Sequence, residues 1–153
     1  MRIGRHDIGD RVLVVAEIGN NHEGDPEVAR RLVEVAAEAG CDALKLQVFT
    51  VEGFVRPADS ARREQMARFR LADEVVIDLL ELARERGMCA VATPLDGSSL
   101  DLVEPHVDAL KIASGDNDFL PLLRRAGWGD RPVIVSTGLA DERVVAGAVA
   151  AVR

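Results

Sequence analysis

The chain has 153 residues, 48% hydrophobic and 29% charged, with a formal net charge of -7. That length suits about one domain of the usual 100 to 200 residues and is too short for a complete (β/α)8 barrel of roughly 250. The hydrophobic content excludes a disordered chain, and the acidic balance with no Tyr argues against a basic or base-stacking surface for nucleic acid. No apolar run reaches the roughly 18 residues of a membrane span, and the N-terminus lacks a signal-like segment. The expected setting is the cytoplasm, with Cys41 and Cys89 reduced and buried as small core residues.

In chain order, Val12 to Ala16 reads as a short buried strand that Glu17 ends. After the turn-rich Asn20 to Gly24, Asp25-Pro26-Glu27 supplies an N-cap, a proline at the first helical position and an acid in the first turn. An amphipathic helix follows, burying Leu32, Val33, Ala36 and Ala37, with Gly40 placed at its end. Ala43 to Val48 is a strand whose alternation sets Lys45 and Gln47 on one face and Leu44, Leu46 and Val48 on the other. Phe49 to Leu71 is irregular, a long loop with a short helix. Asp73 to Arg86 is a second amphipathic helix stopped by Gly87.

Met88 to Ala92 forms the next strand, which Thr93-Pro94 stops. Asp96 or Ser98 caps a short helix running through Val103. Ala109 to Ala113 is a strand, Phe119 to Ala126 a helix, Val133 to Val135 a strand with Val135 assigned to the interior, and Asp141 to Ala151 a final helix. About five βα repeats imply a parallel sheet with right-handed crossovers.

Of the 19 basic residues, all but Lys45 and Lys111 are arginine. Parallel α/β folds bind ligands at the carboxyl ends of their strands, and both lysines fall there. The polar residues at those ends are Glu17, Lys45, Gln47, Thr93, Lys111, Ser114, Ser136 and Thr137. An inward lysine needs a counter-charge, either a carboxylate such as Glu17 or an anionic ligand. Two of them among hydroxyls point to a phosphate or carboxylate ligand. Of the histidines, only His22 lies near this set; His6 and His106 read as solvated loop residues, and no metal-ligand spacing is present. Asp42, Asp96, Asp108, Asp118 and Asp130 sit in turns, where capping is the default.

Ala16-Glu17-Ile18-Gly19 with Asn21-His22-Glu23-Gly24, then Lys45-Leu46-Gln47, Thr93-Pro94, Lys111-Ile112-Ala113-Ser114-Gly115-Asp116 and Ser136-Thr137-Gly138, resemble in order and spacing the sialic acid synthase (N-acetylneuraminate synthase) family. The resemblance covers nearly the whole chain. It implies a (β/α)8 barrel of which residues 1–153 form the N-terminal five βα units, without the later units or the small C-terminal antifreeze-like domain. In the family that domain reaches into a partner subunit's site, so the intact enzyme is expected as a homodimer and the lone chain as inactive.

The implied reaction condenses phosphoenolpyruvate with an N-acyl-mannosamine-type sugar to a nine-carbon 2-keto sugar acid, releasing phosphate. Carried over by motif, Lys45, Thr93, Lys111, Ser114 and Ser136 bind phosphoenolpyruvate. Glu17 and Gln47 face the reacting carbons and the acceptor sugar. Asp116 takes a position that is often glutamate and handles water or protons, which makes Glu17, Lys45 and Asp116 the catalytic candidates. A divalent metal, Mn or Mg, polarises the aldehyde in the family, with ligands expected outside this chain.

Two other readings fit the same elements. A five-stranded flavodoxin-like binding or signalling module suits the length, though Glu17 stands alone where a receiver-type module would carry an acidic cluster. A Schiff-base aldolase would use Lys45 or Lys111 as nucleophile.

Overall fold

The computed structural model describes residues 2–9 and 11–153. A two-stranded antiparallel hairpin, β1 (Arg2–Ile3) and β2 (His6–Asp7), precedes a five-stranded parallel sheet. Its strands are β3 (Val15–Gly19), β4 (Ala43–Val48), β5 (Cys89–Pro94), β6 (Ala109–Ile112) and β7 (Val133–Val135), hydrogen-bonded in sequence order. The helices are α1 (Pro26–Glu38), α2 (Val51–Phe54), α3 (Ser60–Phe69), α4 (Asp73–Glu85), α5 (Gly97–Val103), α6 (Leu120–Gly127) and α7 (Glu142–Ala151).

The order of the strands decides between the two architectures. A flavodoxin-like sheet runs 2-1-3-4-5 and carries helices on both faces. Here each strand pairs with its predecessor, and the main core lies on one face only. Ile18, Leu44, Leu46, Val48, Ala90, Ala92, Leu110 and Ile112 pack there with Ala29 and Val33 of α1, Leu79 and Leu80 of α4, Leu100 of α5, Leu123 of α6 and Ala148 of α7. The opposite face holds a small cluster of Ala43, Cys89, Val91 and Ala109, against which Ile3 of the hairpin packs. This is the winding of consecutive barrel units, helices outside, with the hairpin plugging the amino-terminal end of the inner face.

Local chemistry sets the elements. Asp25 accepts hydrogen bonds from the backbone N–H groups of Glu27 and Val28, and Pro26 opens α1, as its sequence requires. Asp96 rather than Ser98 caps α5, accepting from the Ser99 N–H. It also accepts from the Thr50 N–H and hydroxyl, so one carboxylate ties the loop after β4 to the loop after β5.

Several expectations are corrected. The first strand begins at Val15, not Val12, and Val12 is 82% exposed; the backbone N–H of Val14 is satisfied by the Asp42 side chain rather than by a ladder. The strand also runs past Glu17 to Gly19, with a bulge between them, where Gly19 has φ +55. Thr93 and Pro94 lie inside β5, paired with Gln47 and Val48. The stretch after β4 holds two helices, α2 and α3, capped by Thr50 and Asp59. Val135 packs with the outer core and Ile134 with the inner cluster, so the inward residue of β7 is Ile134. His6 is 5% exposed and lies between the Arg5 and Arg11 guanidiniums. Cys89 is buried as expected, whereas Cys41 is only half-buried.

Among the described residues no helix is long and apolar enough to cross a membrane.

Candidate active site

Strand alternation carries the inner cluster upward into polar residues. On β4 the inward series is Ala43, Lys45, Gln47, on β5 Cys89, Val91, Thr93, and on β6 Ala109, Lys111. The registers Glu17↔Lys45 and Gln47↔Thr93 place these side chains in adjacent rows. Lys111 is paired with Ile134 one strand further on. The apolar end is sealed by Ile3, and the carboxyl end is polar.

Lys45 is 6% exposed and its ammonium is held from two sides. Its Nζ lies 2.5 Å from Glu17 Oε2 and donates to Thr93 Oγ1 at 3.0 Å. The two carriers differ in freedom: the Lys45 side chain is 8% exposed, the Glu17 side chain 51%. Thus the lysine is fixed by the sheet, while the carboxylate reaches it from a half-exposed position. Thr93, 1% exposed, is the fixed partner.

Lys111 completes the cluster. Burial pulls its pKa down, the Lys45 ammonium pulls it further down, and Glu17 and Asp116 push it up. The chain's only two lysines therefore share one electrostatic site. Asp116, in the turn Ser114–Asp116 after β6, has its pKa raised by burial, lowered in part by Lys111 and raised again by Asp118. Burial thus makes this half-buried carboxyl take up a proton more readily than an exposed one would. Ser114 and Ser136 both stand at the rim: the Ser136 N–H donates to the Ile112 carbonyl, and a Cβ built on Gly138 would lie 3.0 Å from Ser114 Oγ, so the loop after β7 runs against the turn that carries Ser114.

Two candidates lie at the edge of this cluster. Gln47 borders a cavity of about 50 Å³ together with His22, Thr50, Phe69, Arg70 and Ser99, lined by none of the four charged residues above. His22 is 3% exposed. Its Nδ1 accepts from the Gly24 N–H at 3.0 Å, and its ring also hydrogen-bonds the Gly19 backbone; burial lowers its pKa more than that bond raises it. A neutral imidazole bonded on both sides organises the loop after β3. One residue absent from the sequence reading is Asn117, 5% exposed and bonded to the loop after β7. Its position straight after the Ser114-Gly115-Asp116 motif was the available signal.

The direction of the Asp116 shift has a measurable consequence. Raised above its ordinary value in the folded state, the carboxyl binds more protons folded than unfolded, so its burden on stability is absent at low pH and present above the raised pKa. Asp116→Asn should therefore raise the thermal midpoint at pH 7, and the gain should shrink as pH falls into the usual carboxylate range. Thermal unfolding of both proteins across that range checks it; a variant less stable at pH 7 would mean that the Lys111 attraction outweighs burial.

Sheet order, single-sided helices and a cluster of two lysines and two carboxylates at the carboxyl end define a singly wound βα barrel segment with a charged site at its mouth. The chain matches the NeuB family over residues 32–153 and belongs to it. It is 34% identical over 143 residues to an N,N'-diacetyllegionaminic acid synthase of Legionella pneumophila, covering 84% of this chain and 40% of that protein. It is 29% identical over 140 residues to the N-acetylneuraminate-9-phosphate synthase of Mus musculus, covering 83% and 39%. The crystal structure of an N-acetylneuraminic acid (sialic acid) synthetase from Leptospira borgpetersenii, in complex with citrate, superposes with a TM-score of 0.85 at 29% identity, covering 94% of this chain and 50% of that one. The chain thus spans 40% of the length of the first of these relatives.

Proposed function

We propose that this chain supplies the phosphoenolpyruvate side of a synthase that condenses phosphoenolpyruvate with an N-acyl-mannosamine-type or related amino sugar. The product is a 2-keto sugar acid, and phosphate is released. The observation that carries the reading is the convergence of Lys45 and Lys111 on one face of the sheet, with Thr93 bonded to the first and hydroxyls at the rim. Family membership supports the class of reaction.

In this reading the ammonium groups of Lys45 and Lys111, with the hydroxyls of Thr93, Ser114 and Ser136, hold the phosphate and carboxylate of the trianion. Its methylene carbon is thereby kept toward the open mouth. That carbon forms the new bond with the sugar aldehyde. Water then adds to the cationic carbon bearing the phosphate, and the phosphate leaves. Glu17, displaced from Lys45 by the incoming anion, is free to face the reacting carbons. Asp116 holds or receives the proton exchanged with water, and Gln47 reaches toward the acceptor.

A divalent metal is the family's expected Lewis acid. We propose that its ligands come from outside this chain. A complete barrel, paired as a homodimer in the cytoplasm, is the working form that this reading proposes.

The lowered pKa of Lys111 also favours a second chemistry, attack on a ketone to form a Schiff base. Incubation of the full-length protein with phosphoenolpyruvate and N-acylated mannosamine-type sugars should give equal amounts of phosphate and 2-keto acid. Borohydride with pyruvate should leave no adduct. A pyruvyl adduct on Lys111 without phosphate release would replace the synthase by an aldolase.

A further inference from the structure

We propose that Asn117 is a positioning residue: it ties the loop after β7 to the loop after β6 and so sets where the Ser136 hydroxyl stands relative to Ser114 and Lys111. The inference rests on the phosphoenolpyruvate reading above. Asn117 follows the Ser114–Asp116 turn and is 5% exposed. Its side-chain nitrogen donates to the Gly138 carbonyl at 2.9 Å and, more weakly, to the Ser136 carbonyl at 3.4 Å. Since both partners are acceptors only, the amide must present its NH2 group to them. The two carbonyls flank Thr137, so one donor group grips the whole segment that carries Ser136.

A turn asparagine ordinarily bonds its own neighbours. Asn117 instead reaches residues 19 and 21 positions away, which is the geometry of a brace between two loops. The braced segment needs one. It lies beyond the end of β7, and Leu139, next in the chain, takes φ +62 with 95% of its surface exposed. A leucine in the left-handed region with almost all of its surface exposed gains no packing to offset that conformation. Ser114 closes on Gly138 from the same side. If the brace is lost, Ser136 moves and the Ser114 contact loosens together, while Lys45 and Thr93 stay fixed in their strands.

The test is calorimetric titration of the full-length protein with phosphoenolpyruvate. Asn117→Leu keeps the side-chain bulk without a donor, and Asn117→Asp sets a carboxylate against the two carbonyls. Each variant should raise the Kd about tenfold at unchanged stoichiometry, while the KM for the sugar stays within about twofold. In a Ser136→Ala background the same substitution should cost less than about threefold, because its effect passes through Ser136. A purely structural role would lower the midpoint and the bindable fraction and leave the Kd alone; that result, or an equal penalty with and without Ser136, overturns the proposal. Should Asn117→Leu not fold, Asn117→Asp carries the same test. The underlying reading fails separately, if Lys45→Ala, Lys111→Ala and Ser136→Ala all bind phosphoenolpyruvate as the parent does.

Discussion

Replacing Lys45 or Lys111 with alanine should cost about 2 to 4 kcal/mol of transition-state stabilisation, roughly 30-fold to 1,000-fold in kcat/KM for phosphoenolpyruvate. The two variants should differ in stability. Lys45 is bonded to Thr93 and paired with Glu17, so its removal also takes the counter-charge from a neighbouring carboxylate. Lys111 carries the cost of burial beside another ammonium, so Lys111→Ala should unfold no earlier than the parent while losing activity. Arginine should rescue neither: at Lys45 a planar guanidinium with a longer reach cannot occupy the space of a compact ammonium between Glu17 and Thr93, and at Lys111 it would place an undiminished charge in a half-buried position beside another cation. Steady-state kinetics and thermal unfolding of the same preparations check both halves. An alanine variant with near-parental turnover and affinity would remove the anion site from the account.

Gly24→Ala should be the most damaging single-methyl change in the chain, destabilising it by about 2 to 4 kcal/mol. Gly24 has φ +88, and a Cβ built there would fall on the backbone carbonyl of Arg68 at the end of α3. Neither fault can be relieved by a side-chain rotation. The loop after β3 and the helical segment after β4 must separate, and His22, whose Nδ1 is bonded to the Gly24 N–H, loses its anchor with them. At roughly 2 to 4 °C per kcal/mol for a chain of this size, the midpoint should fall by about 10 °C. A parental midpoint would mean that the loop after β3 does not dock on α3.

What could be read from the chain follows the length of its periodic signals. Ala43 to Val48 alternates over a full strand, and that alternation puts Lys45 on the inward face that it occupies, bonded to Thr93. The three residues of β7 are too few to fix a phase, so Val135 was turned inward where the sheet turns Ile134. Two-residue strands have no period at all, and the hairpin that seals the inner face with Ile3 left no trace in the pattern. For the same reason His6 read as a loop residue.

Side-chain bonds between distant loops are the other class that sequence leaves dark. Asp96 was legible as a cap because its partner is three residues away; its bonds to Thr50 span 46 positions and were not. Asn117 is the sharper case, since a turn position gives it a local role by default and its actual partners lie in the next βα unit. Conversely, the Glu17–Lys45 pair was among the alternatives for a buried lysine. The structure has this pair, with Glu17 half in solvent.

A crystal structure of the full-length protein with phosphoenolpyruvate would show directly whether the two lysines clamp it. Phosphate or carboxylate oxygens should lie about 2.7 to 2.9 Å from the Nζ atoms of both Lys45 and Lys111, with the Ser136 hydroxyl turned to the same ligand and Glu17 released from Lys45. Density for phosphoenolpyruvate elsewhere, with Glu17 still paired to Lys45, would contradict it.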